Sequence, residues 1–368
     1  MSKTGSKRMC VGVDLHKTQF TVCALDEETG AIELEGEFRT NANGYADFIN
    51  RMHEIEGESG HVIELAVEST GNARFFKNKM EAEGFSVVVV NTNKFKVITM
   101  STKKNDANDA ATLAFYLLKE MLPESHLCDQ TSEEIRRMLK TRSILVQAMV
   151  KMKNQIHGMM LGYGIETKSS QLQSKKKRQE LYQDLADHNF SEFTASSLKV
   201  ILDSLDDLQK QIKTIEEQLQ KMVAENRNVE LLQTMPGIGP IGAITIAAYT
   251  NDMGRFDGNF KRFASYLGIV PSVHDSNQTV RRGKITKHGP QELRTAFVQV
   301  AMGIIRQPQN TSEWKLMIDY YRMKKEKGSG RAIITLTRKI ARIVFAMLNN
   351  QEEFNPALMI REKTKLTA

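Results

Sequence analysis

Two aspartates three positions apart, Asp106 and Asp109, stand in the segment KKNDANDA (103–110) at the start of a helix-forming run. That spacing places both carboxylates on one face of a helix. Two negative charges so close repel each other, and a divalent cation that prefers oxygen ligands, such as Mg²⁺, relieves the repulsion. The alternative is a solvent-exposed helix start, where Asp serves as a cap and as a partner of the helix dipole.

Two further carboxylates stand in apolar strands. Asp14 lies within VGVDL, and Glu68 ends the apolar run HVIELAVE. A carboxylate in an apolar strand is costly unless it is paired or binds a metal. Sites in open α/β sheets lie at strand ends, so the four carboxylates are expected to converge and hold two Mg²⁺ ions about 3.5–4 Å apart, an arrangement suited to phosphodiester displacement. We interpret His16 as a hydrogen-bonding or packing residue, because the carboxylates suffice as ligands.

The elements that must position these residues follow the order βββαβαβα. Met9–Leu25 is predicted to form two short strands with a break near His16, and Ile32–Thr40 a third. His61–Val67 and Phe85–Val90 are predicted strands, and apolar residues at helical spacing predict helices over Asn43–Glu56 and Asn72–Glu83. Phe85–Val90 is the most apolar strand, so it is expected at the centre of the sheet.

The motifs VGVDLHK (11–17), AVEST (66–70) and KNDANDA (104–110) resemble the DEDD catalytic domain of the one-ten family of insertion-sequence transposases. The resemblance implies an α/β fold similar to RuvC-type Holliday-junction resolvases of the ribonuclease H superfamily, over residues 8–125. It also implies catalytic, Mg²⁺-binding roles for Asp14, Glu68, Asp106 and Asp109. The family more often has Thr where Asn105 stands, but both aspartates of the motif are present.

The middle of the chain, residues 131–227, is predicted to be helical and to form a coiled coil. Thr131–Leu161 carries an apolar stripe and an N-terminal cap over Ser132–Glu134, and Thr194–Arg227 carries a heptad-like seam. The seam can pair inside one subunit or with a partner chain, and oligomerisation is a hypothesis. The basic segment Lys168–Arg178 is expected to be a solvated loop, with a phosphate-contacting arm as the alternative.

Residues 228–350 are predicted to form a mostly α-helical domain, followed by a tail over 351–368. The segment LLQTMPGIGPIGA (231–243) resembles a helix-hairpin-helix turn. Gly237 and Gly239 allow close backbone approach, and the free N–H groups at a helix start suit a phosphate oxygen, which indicates nucleic-acid binding without reading of sequence. The alternative is a glycine-rich bend between two packed helices.

Positive charge is concentrated between residues 255 and 294, which hold eight Lys or Arg against three acidic residues. Within this stretch Gly268–Gly289 is expected to be a loop. A serine flanked by basic residues can attack a phosphorus, with arginines stabilising the developing charge, and the candidates are Ser272 and Ser276. The predicted nucleic-acid-binding residues here are Arg281, Arg282, Lys284, Lys287 and Arg294.

This basic stretch resembles the C-terminal transposase domain of the same family, in which a nucleophilic serine precedes a Gly and a run of basic residues. The matching positions run from Pro271 through Arg282 to Arg294, and they place the family's serine on Ser276. Asn277 replaces the usual Gly. Asn tolerates left-handed backbone, but the departure leaves Ser272 as a competitor.

Composition is consistent with a nucleic-acid partner. The 368 residues include 51 Lys or Arg and 44 Asp or Glu, a net charge of +7, and the pI is about 9.1. The three cysteines form no disulfide or zinc pattern, and neither a signal peptide nor a membrane span is evident, so we expect a cytoplasmic protein without a membrane partner.

The resemblance implies a DNA transposase, a site-specific recombinase of a mobile element. It implies a composite site in which Mg²⁺-binding carboxylates and Ser276 act together, a structured noncoding guide RNA from the element, and assembly into a dimer or tetramer. One alternative is a metal-dependent junction nuclease that cleaves with water, and Ser276 then only contacts phosphate. Another is a nucleic-acid-binding protein without catalysis.

Overall fold

A computed structural model of the chain describes residues 7–92, 94–95, 106–185, 188, 190–276 and 279–360. It divides the chain into two compact units, residues 1–127 and 128–368. Among the helices of the described residues, none is both long and apolar enough to cross a bilayer.

Unit 1 is built on a five-stranded mixed sheet, which confirms the predicted α/β class. The strands are β1 (Arg8–Leu15), β2 (Gln19–Asp26), β3 (Ile32–Arg39), β4 (Val62–Glu68) and β5 (Ser86–Val90). Their order across the sheet is β3-β2-β1-β4-β5. The β1–β2 and β2–β3 pairs are antiparallel, and β1–β4 and β4–β5 are parallel. The first strand is therefore central, and its carboxyl end meets that of β4.

The prediction that Phe85–Val90 lies at the centre of the sheet is wrong, because β5 is an edge strand. Its apolar character has another cause. Val87 and Val89 pack into the core on one face, and Val90 packs on the other. Residues 123–125 cover the open edge of β5. The backbone carbonyl of Pro123 accepts from Asn91 N at 2.7 Å, and Ser125 N donates to Val89 O at 2.7 Å. A strand buried on both faces and along its edge is as apolar as a central one.

Helices cover both faces of this sheet. On one face lie α1 (Ala42–Ser59) and α2 (Ala73–Ala82), whose side chains enclose a cluster of phenylalanine rings with β2. On the other face lies α3 (Asp106–Leu118), which contacts β1 and β2. Asn41 caps α1 by accepting from Gly44 N at 2.9 Å. The helix α3 confirms the helix predicted after the fifth strand. Lys103–Asn105 lie outside the described residues.

Unit 2 begins with an antiparallel pair of long helices, α4 (Gln130–Gly162) and α6 (Glu192–Met222). Residues near the start of α4 pack with the end of α6, and residues near the end of α4 pack with the start of α6. The predicted seam therefore pairs inside one chain. The N-cap of α4 is Asp129, which accepts from Ser132 N at 2.7 Å, and not Ser132 as expected. The second helix ends at Met222, before Arg227.

The expectation of a solvated loop over Lys168–Arg178 is wrong. The segment forms a 3₁₀ turn (Ser169–Leu172) and enters α5 (Lys175–Asp184). Arg178 is buried, and its Nε donates to Asp206 Oδ1 at 2.8 Å while Nη1 donates to Leu172 O at 3.0 Å. A run of basic residues does not indicate which of them is buried, because the sequence does not reveal that one arginine pairs with a carboxylate on a neighbouring helix.

The rest of unit 2 packs around one hydrophobic core, and it is mostly helical as predicted. Trp314 and Tyr320 are buried in this core. The elements are α7 (Arg227–Gln233), α8 (Pro240–Thr250), α9 (Phe260–Tyr266), β6 (Pro271–Ser276), β7 (Thr279–Ile285), α10 (Gln291–Ile305), α11 (Pro308–Thr311), α12 (Lys315–Lys327) and α13 (Ser329–Asn350). Further 3₁₀ turns span Gly254–Phe256 and Pro356–Met359.

The expected loop over Gly268–Gly289 contains a two-stranded antiparallel hairpin, β6 and β7. Pro, Ser and Gly suggested a loop, but β7 carries the β-branched residues Thr279, Val280 and Ile285, which favour an extended strand. A register shift between Pro271 and Val273 marks a bulge at its base. Asn277 lies outside the described residues.

Candidate metal centre and nucleic-acid interface

The carboxylate site of unit 1 depends on a close approach of α3 to β1 at Gly12. A Cβ atom added there would lie 2.5 Å from Ala114 N and 2.9 Å from Leu113 Cβ, and it would overlap Ala110 O. Only glycine permits this distance between strand and helix. The sequence did not predict a role for Gly12, because a single glycine in a strand does not indicate that a helix packs closely across it.

Alternation along the strands places Asp14 and Glu68 on the same face as this contact. Asp14 is two residues after Gly12, and Glu68 is two residues after Ala66, which packs against Leu113 of α3. Val13 and Val67 are paired on adjacent parallel strands. Asp14 and Glu68 therefore follow paired positions at one edge of the sheet, as the sequence predicted.

Asp106 and Asp109 lie in the first turn of α3, which the close contact at Gly12 holds over β1. The side chain of His16 lies between the strand and the helix. Its Nε2 is 3.1 Å from Asp14 Oδ2 and 3.5 Å from Asp106 Oδ2. The structure thus brings Asp14 and Asp106 to one imidazole, with Asp109 close enough to affect Asp14 electrostatically.

The electrostatics reflect crowded negative charge. Burial raises the pKa of the Asp14 carboxyl above its ordinary value, and the Asp106 and Asp109 carboxylates raise it further, against the opposing effect of His16. Burial by itself lowers the pKa of His16, but the Asp14 and Asp106 carboxylates outweigh burial, so its pKa is raised. Only 13% of the Asp14 side chain is exposed, against 48% of that of Asp106.

The residues present fit a divalent metal. One carboxylate oxygen from Asp14, one from Asp106 and a ring nitrogen of His16 all lie within 4.8 Å of one another. Carboxylate oxygens are the ligands that hard divalent cations prefer. Glu68 ends the neighbouring strand β4, and Asp109 lies in the first turn of α3.

A hydrogen-bonded chain supports this edge and was not predicted. Thr70 Oγ1 donates to Asn72 Oδ1 at 3.0 Å, and Asn72 Nδ2 donates to the backbone carbonyl of His16 at 3.2 Å. It ties the segment after β4 to the turn between β1 and β2. In the sequence, AVEST continues into Gly71 and Asn72, and Asn72 was predicted only as the start of a helix.

In unit 2, the helix-hairpin-helix-like turn joins α7 to α8 as predicted. Gly237 has φ +88°, and a Cβ there would lie 3.0 Å from Ile304 Cγ1 and 3.1 Å from Val300 O. Gly239 has φ −84° and open space around it. Gly237 is therefore required by the fold, whereas Gly239 leaves room beside the start of α8 for a ligand.

A groove of about 590 Å³ opens at this turn, between α4, α8 and α10. Pro240 has no N–H, and Gly239 provides no side-chain cap, so the first turn of α8 presents backbone N–H groups without a capping side chain. The polar side chains that line the groove include Lys140, Arg142, Gln147, Gln291, Glu292, Thr295 and Gln299. Cationic, amide and hydroxyl groups beside a helix start suit a phosphate backbone.

Of the five predicted basic residues of this stretch, the structure describes the side chains of Arg294, Lys284 and Lys287. Arg294 donates from Nη1 to Lys287 O at 3.2 Å and to Leu267 O at 3.4 Å, which ties down the chain after the hairpin. Lys284 and Lys287 are exposed. The side chains of Arg281 and Arg282 lie outside the described part of the structure.

The two candidate serines occupy opposite ends of the hairpin. The backbone of Ser276 pairs with Thr279 at the last position before the turn, and the Ser276 side chain lies outside what the structure describes. Ser272 lies at the bulge near the base, where its Oγ occupies the space that a Cβ on Gly283 would need. Ser272 Oγ therefore packs against Gly283.

Comparisons with known proteins agree with these features. Residues 11–165 match a DEDD-type family model described as "Transposase", and residues 229–315 match the model described as "Transposase IS116/IS110/IS902 family". The transposase for insertion sequence element IS1111A of Coxiella burnetii is 24% identical over 94% of this chain and 90% of that protein. The transposase for IS1328 of Yersinia enterocolitica is 26% identical over 64% of this chain and 69% of that protein.

The α/β unit with its carboxylates and the helical unit that follows are thus those of a DEDD transposase. The chain belongs to the IS116/IS110/IS902 family of insertion-sequence transposases. Membership implies an enzyme that binds, cuts and rejoins DNA in transposition, and the DEDD domain implies use of a divalent metal.

Proposed function

We propose that this transposase is a site-specific recombinase that exchanges DNA strands with Mg²⁺-binding carboxylates and a serine nucleophile, guided by a structured RNA of the element. The observation that carries the proposal is the convergence of Asp14 and Asp106 at the carboxyl edge of the sheet in unit 1. Strand topology and helix placement agree with a RuvC-like fold, which we propose for this unit.

In this proposal Asp14, Glu68, Asp106 and Asp109 hold Mg²⁺. A bound divalent cation polarises a phosphodiester and neutralises the charge that develops on its oxygens. The protein's own part is to fix the ligands. Gly12 sets the distance between β1 and α3, and Asn72 holds the backbone of His16.

Ser276 is the proposed nucleophile of unit 2, at the turn end of the hairpin. Its Oγ attacks the DNA phosphorus, a Ser–O–P bond forms, and the P–O bond to the leaving strand breaks. The serine proton ends on the leaving oxygen. Attack by the hydroxyl of a second strand reverses these changes and joins the DNA, so no external reductant or energy source is needed.

Replacing Ser276 with Ala is expected to abolish the covalent protein–DNA adduct and recombination together, because alanine has no oxygen to attack phosphorus. The measurement is denaturing electrophoresis of the full-length protein trapped on labelled element DNA with Mg²⁺ and the element's RNA. Ser272→Ala is the matched control, and it is expected to retain the adduct.

Two results would contradict the serine mechanism. If Ser276→Ala still forms the adduct, the nucleophile is another residue, with Ser272 as the first candidate. If wild type yields hydrolysed ends and no adduct, the enzyme is a metal-dependent nuclease of the junction type and the serine is not a nucleophile.

We further propose that the groove at Gly239 and the exposed Lys284 and Lys287 contact nucleic-acid phosphates, together with Arg281, Arg282, Arg294 and the close-packed turn at Gly237. The net charge of +7 supports a polyanionic partner and does not distinguish DNA from RNA. Such contacts hold the backbone and carry no sequence information. In this proposal the guide RNA supplies the sequence recognition.

Gly239→Ala is expected to weaken DNA binding about tenfold, or about 1.4 kcal/mol, because a methyl group would stand between the phosphate and the start of α8. Its midpoint of thermal unfolding should change little, since no atom lies within 4 Å of the added Cβ. Gly237→Ala is the contrast, and it should lower the unfolding midpoint because of its positive φ and its contact with Ile304. Filter binding at two salt concentrations and differential scanning fluorimetry provide the measurements. Unchanged affinity of Gly239→Ala would remove the turn from the interface.

A homo-oligomer is also proposed, because recombination must hold two duplexes. Large apolar side chains exposed on the long helices support it, and they are Ile144, Leu161, Phe193 and Val200.

A further inference from the structure

We propose that His16 is itself a ligand of the divalent cation, through Nε2, so that the centre takes a mixed nitrogen and oxygen ligand set and favours a first-row transition ion over Mg²⁺. This rests on the proposed function of the carboxylates as a metal centre and changes its ligand set and its cation. The sequence had suggested only hydrogen bonding or packing for His16, because four carboxylates suffice without it.

The spacing of the donor atoms carries the argument. Ligands about 2.1–2.2 Å from an octahedral ion lie about 3.0 Å apart when adjacent and about 4.2 Å apart when opposite. His16 Nε2 is 3.1 Å from Asp14 Oδ2 and 3.5 Å from Asp106 Oδ2, and the cluster fits within 4.8 Å. The two separations from Nε2 are close to that of adjacent ligands on one ion, and the two carboxylate oxygens lie no more than 4.8 Å apart.

A protonated imidazole is the metal-free alternative for this arrangement, because its positive charge attracts both carboxylates. One Nε2–H can point to only one carboxylate, and Asp14 is the closer of the two. A divalent cation in place of that proton would bind one oxygen of each carboxylate and the ring nitrogen, which then acts as the donor of an electron pair. The nitrogen modulation described below distinguishes the two arrangements.

The backbone of His16 is held in place, which suits a ligand. Its N–H donates to Gln19 O at 3.0 Å across the turn between β1 and β2. Its carbonyl accepts from Asn72 Nδ2, which Thr70 holds in turn. The ring therefore extends from a turn fixed on both sides, and half of its side-chain surface remains accessible for binding.

Imidazole determines the class of cation. Mg²⁺ prefers oxygen ligands and water, whereas imidazole nitrogen favours transition ions, for which affinity rises from Mn²⁺ onwards along the first row. Mn²⁺ is the probe of choice, because it also binds carboxylates and its unpaired electrons report on a coordinated nitrogen. Removing the imidazole should cost more affinity for Mn²⁺ than for Mg²⁺.

The test uses the full-length protein with Mn²⁺ and no DNA. Electron paramagnetic resonance measures Mn²⁺ bound, competition with Mg²⁺ measures preference, and electron spin echo modulation detects a directly bound nitrogen. Wild type is expected to show nitrogen modulation. His16→Gln keeps an amide that can hydrogen-bond to the carboxylates, and it should lose the modulation and about tenfold in Mn²⁺ affinity with little change for Mg²⁺.

His53→Gln is the control, because His53 is an exposed histidine on α1 that contacts Glu56 and the Phe85 ring and none of the proposed ligands, and it should leave Mn²⁺ binding unchanged. Bound Mn²⁺ without nitrogen modulation in wild type would overturn the assignment of His16 and leave the carboxylate centre standing. Modulation that persists in His16→Gln would overturn it also. No bound Mn²⁺, or binding unaffected by Asp14→Asn, would overturn the carboxylate centre itself.

Discussion

Asp14→Asn is expected to reduce excision of the element and formation of its circle junction by about 10³-fold. Asparagine keeps the size of the side chain but removes the negative charge that holds a divalent cation. Loss of metal-based charge stabilisation is worth several kcal/mol, and about 4 kcal/mol corresponds to that factor in rate. Asp14 is the more informative of the two carboxylates that meet at His16, because its side chain is the more buried.

Asp14→Asn should not destabilise the folded protein, although it reduces activity. Burial and neighbouring carboxylates raise the pKa of Asp14, so the ionised group is unfavourable in the folded protein without a cation. Replacing it with a neutral residue removes that repulsion. An inactive variant that unfolds at the same temperature as wild type, or higher, would locate the defect in chemistry and not in folding.

The measurement is excision in cells carrying the complete element, at matched protein levels. Asp47→Asn, on the exposed surface of α1, is the control for loss of one negative charge and should remain active. Asp14→Asn that recombines within threefold of wild type would contradict a role for this carboxylate in the reaction and would favour the hypothesis of a protein that only binds nucleic acid.

The sequence predicted those elements whose evidence is local. Alternation and helical periodicity are properties of a few neighbouring residues, and they located all five strands of unit 1 to within two residues. Asp14 was recognisable because a carboxylate in an apolar strand is costly wherever that strand lies in the sheet. The spacing of Asp106 and Asp109 likewise needed only the geometry of one helix.

Strand order was not predictable in the same way. An apolar strand needs cover on every side, but the source of that cover is encoded elsewhere in the chain. For β5 it is the segment around Pro123, thirty residues downstream, and the strand lies at the edge. The hairpin was missed for a related reason, because the Pro, Ser and Gly residues that suggest a loop also occur at the base of paired strands, as Ser272 and Gly283 do.

The candidate site was likewise only partly predictable from the sequence. Carboxylates are visible in a sequence, but the residues that hold them together are defined by contacts between segments. Asn72 acts on the His16 carbonyl from 56 positions away, and Gly12 acts on a helix that begins almost a hundred residues later. The buried ion pair of Arg178 with Asp206 belongs to this class, since neither residue indicates the other.

Gly12→Ala is expected to lower the free energy of unfolding by about 3 kcal/mol, the upper end of the range for overpacking in a dense core. The added Cβ meets backbone atoms of α3, and a helix backbone cannot rotate away as the end of a side chain can. The helix must therefore move as a body, or β1 must bend. Chemical denaturation followed by circular dichroism measures the change.

Gly57→Ala is the matched control, because Gly57 lies in α1 with no atom within 4 Å of an added Cβ. Alanine is the better helix former, so that variant should be as stable as wild type or more stable by about 0.5–1 kcal/mol. If Gly12→Ala proves as stable as Gly57→Ala, the strand and helix are not in the close contact described.

The same substitution also tests how the carboxylates are positioned. A shift of about 1 Å in α3 moves Asp106 and Asp109 away from Asp14, and misplacement on that scale can cost about 10²-fold in rate. Gly12→Ala retains every proposed ligand, so its loss of Mn²⁺ affinity and of excision, measured at a temperature where it remains folded, would be due to geometry alone. Normal metal affinity in a destabilised Gly12→Ala would mean that the ligands do not depend on this contact, and that the strand ends at Asp14 and Glu68 are sufficient to position the ion.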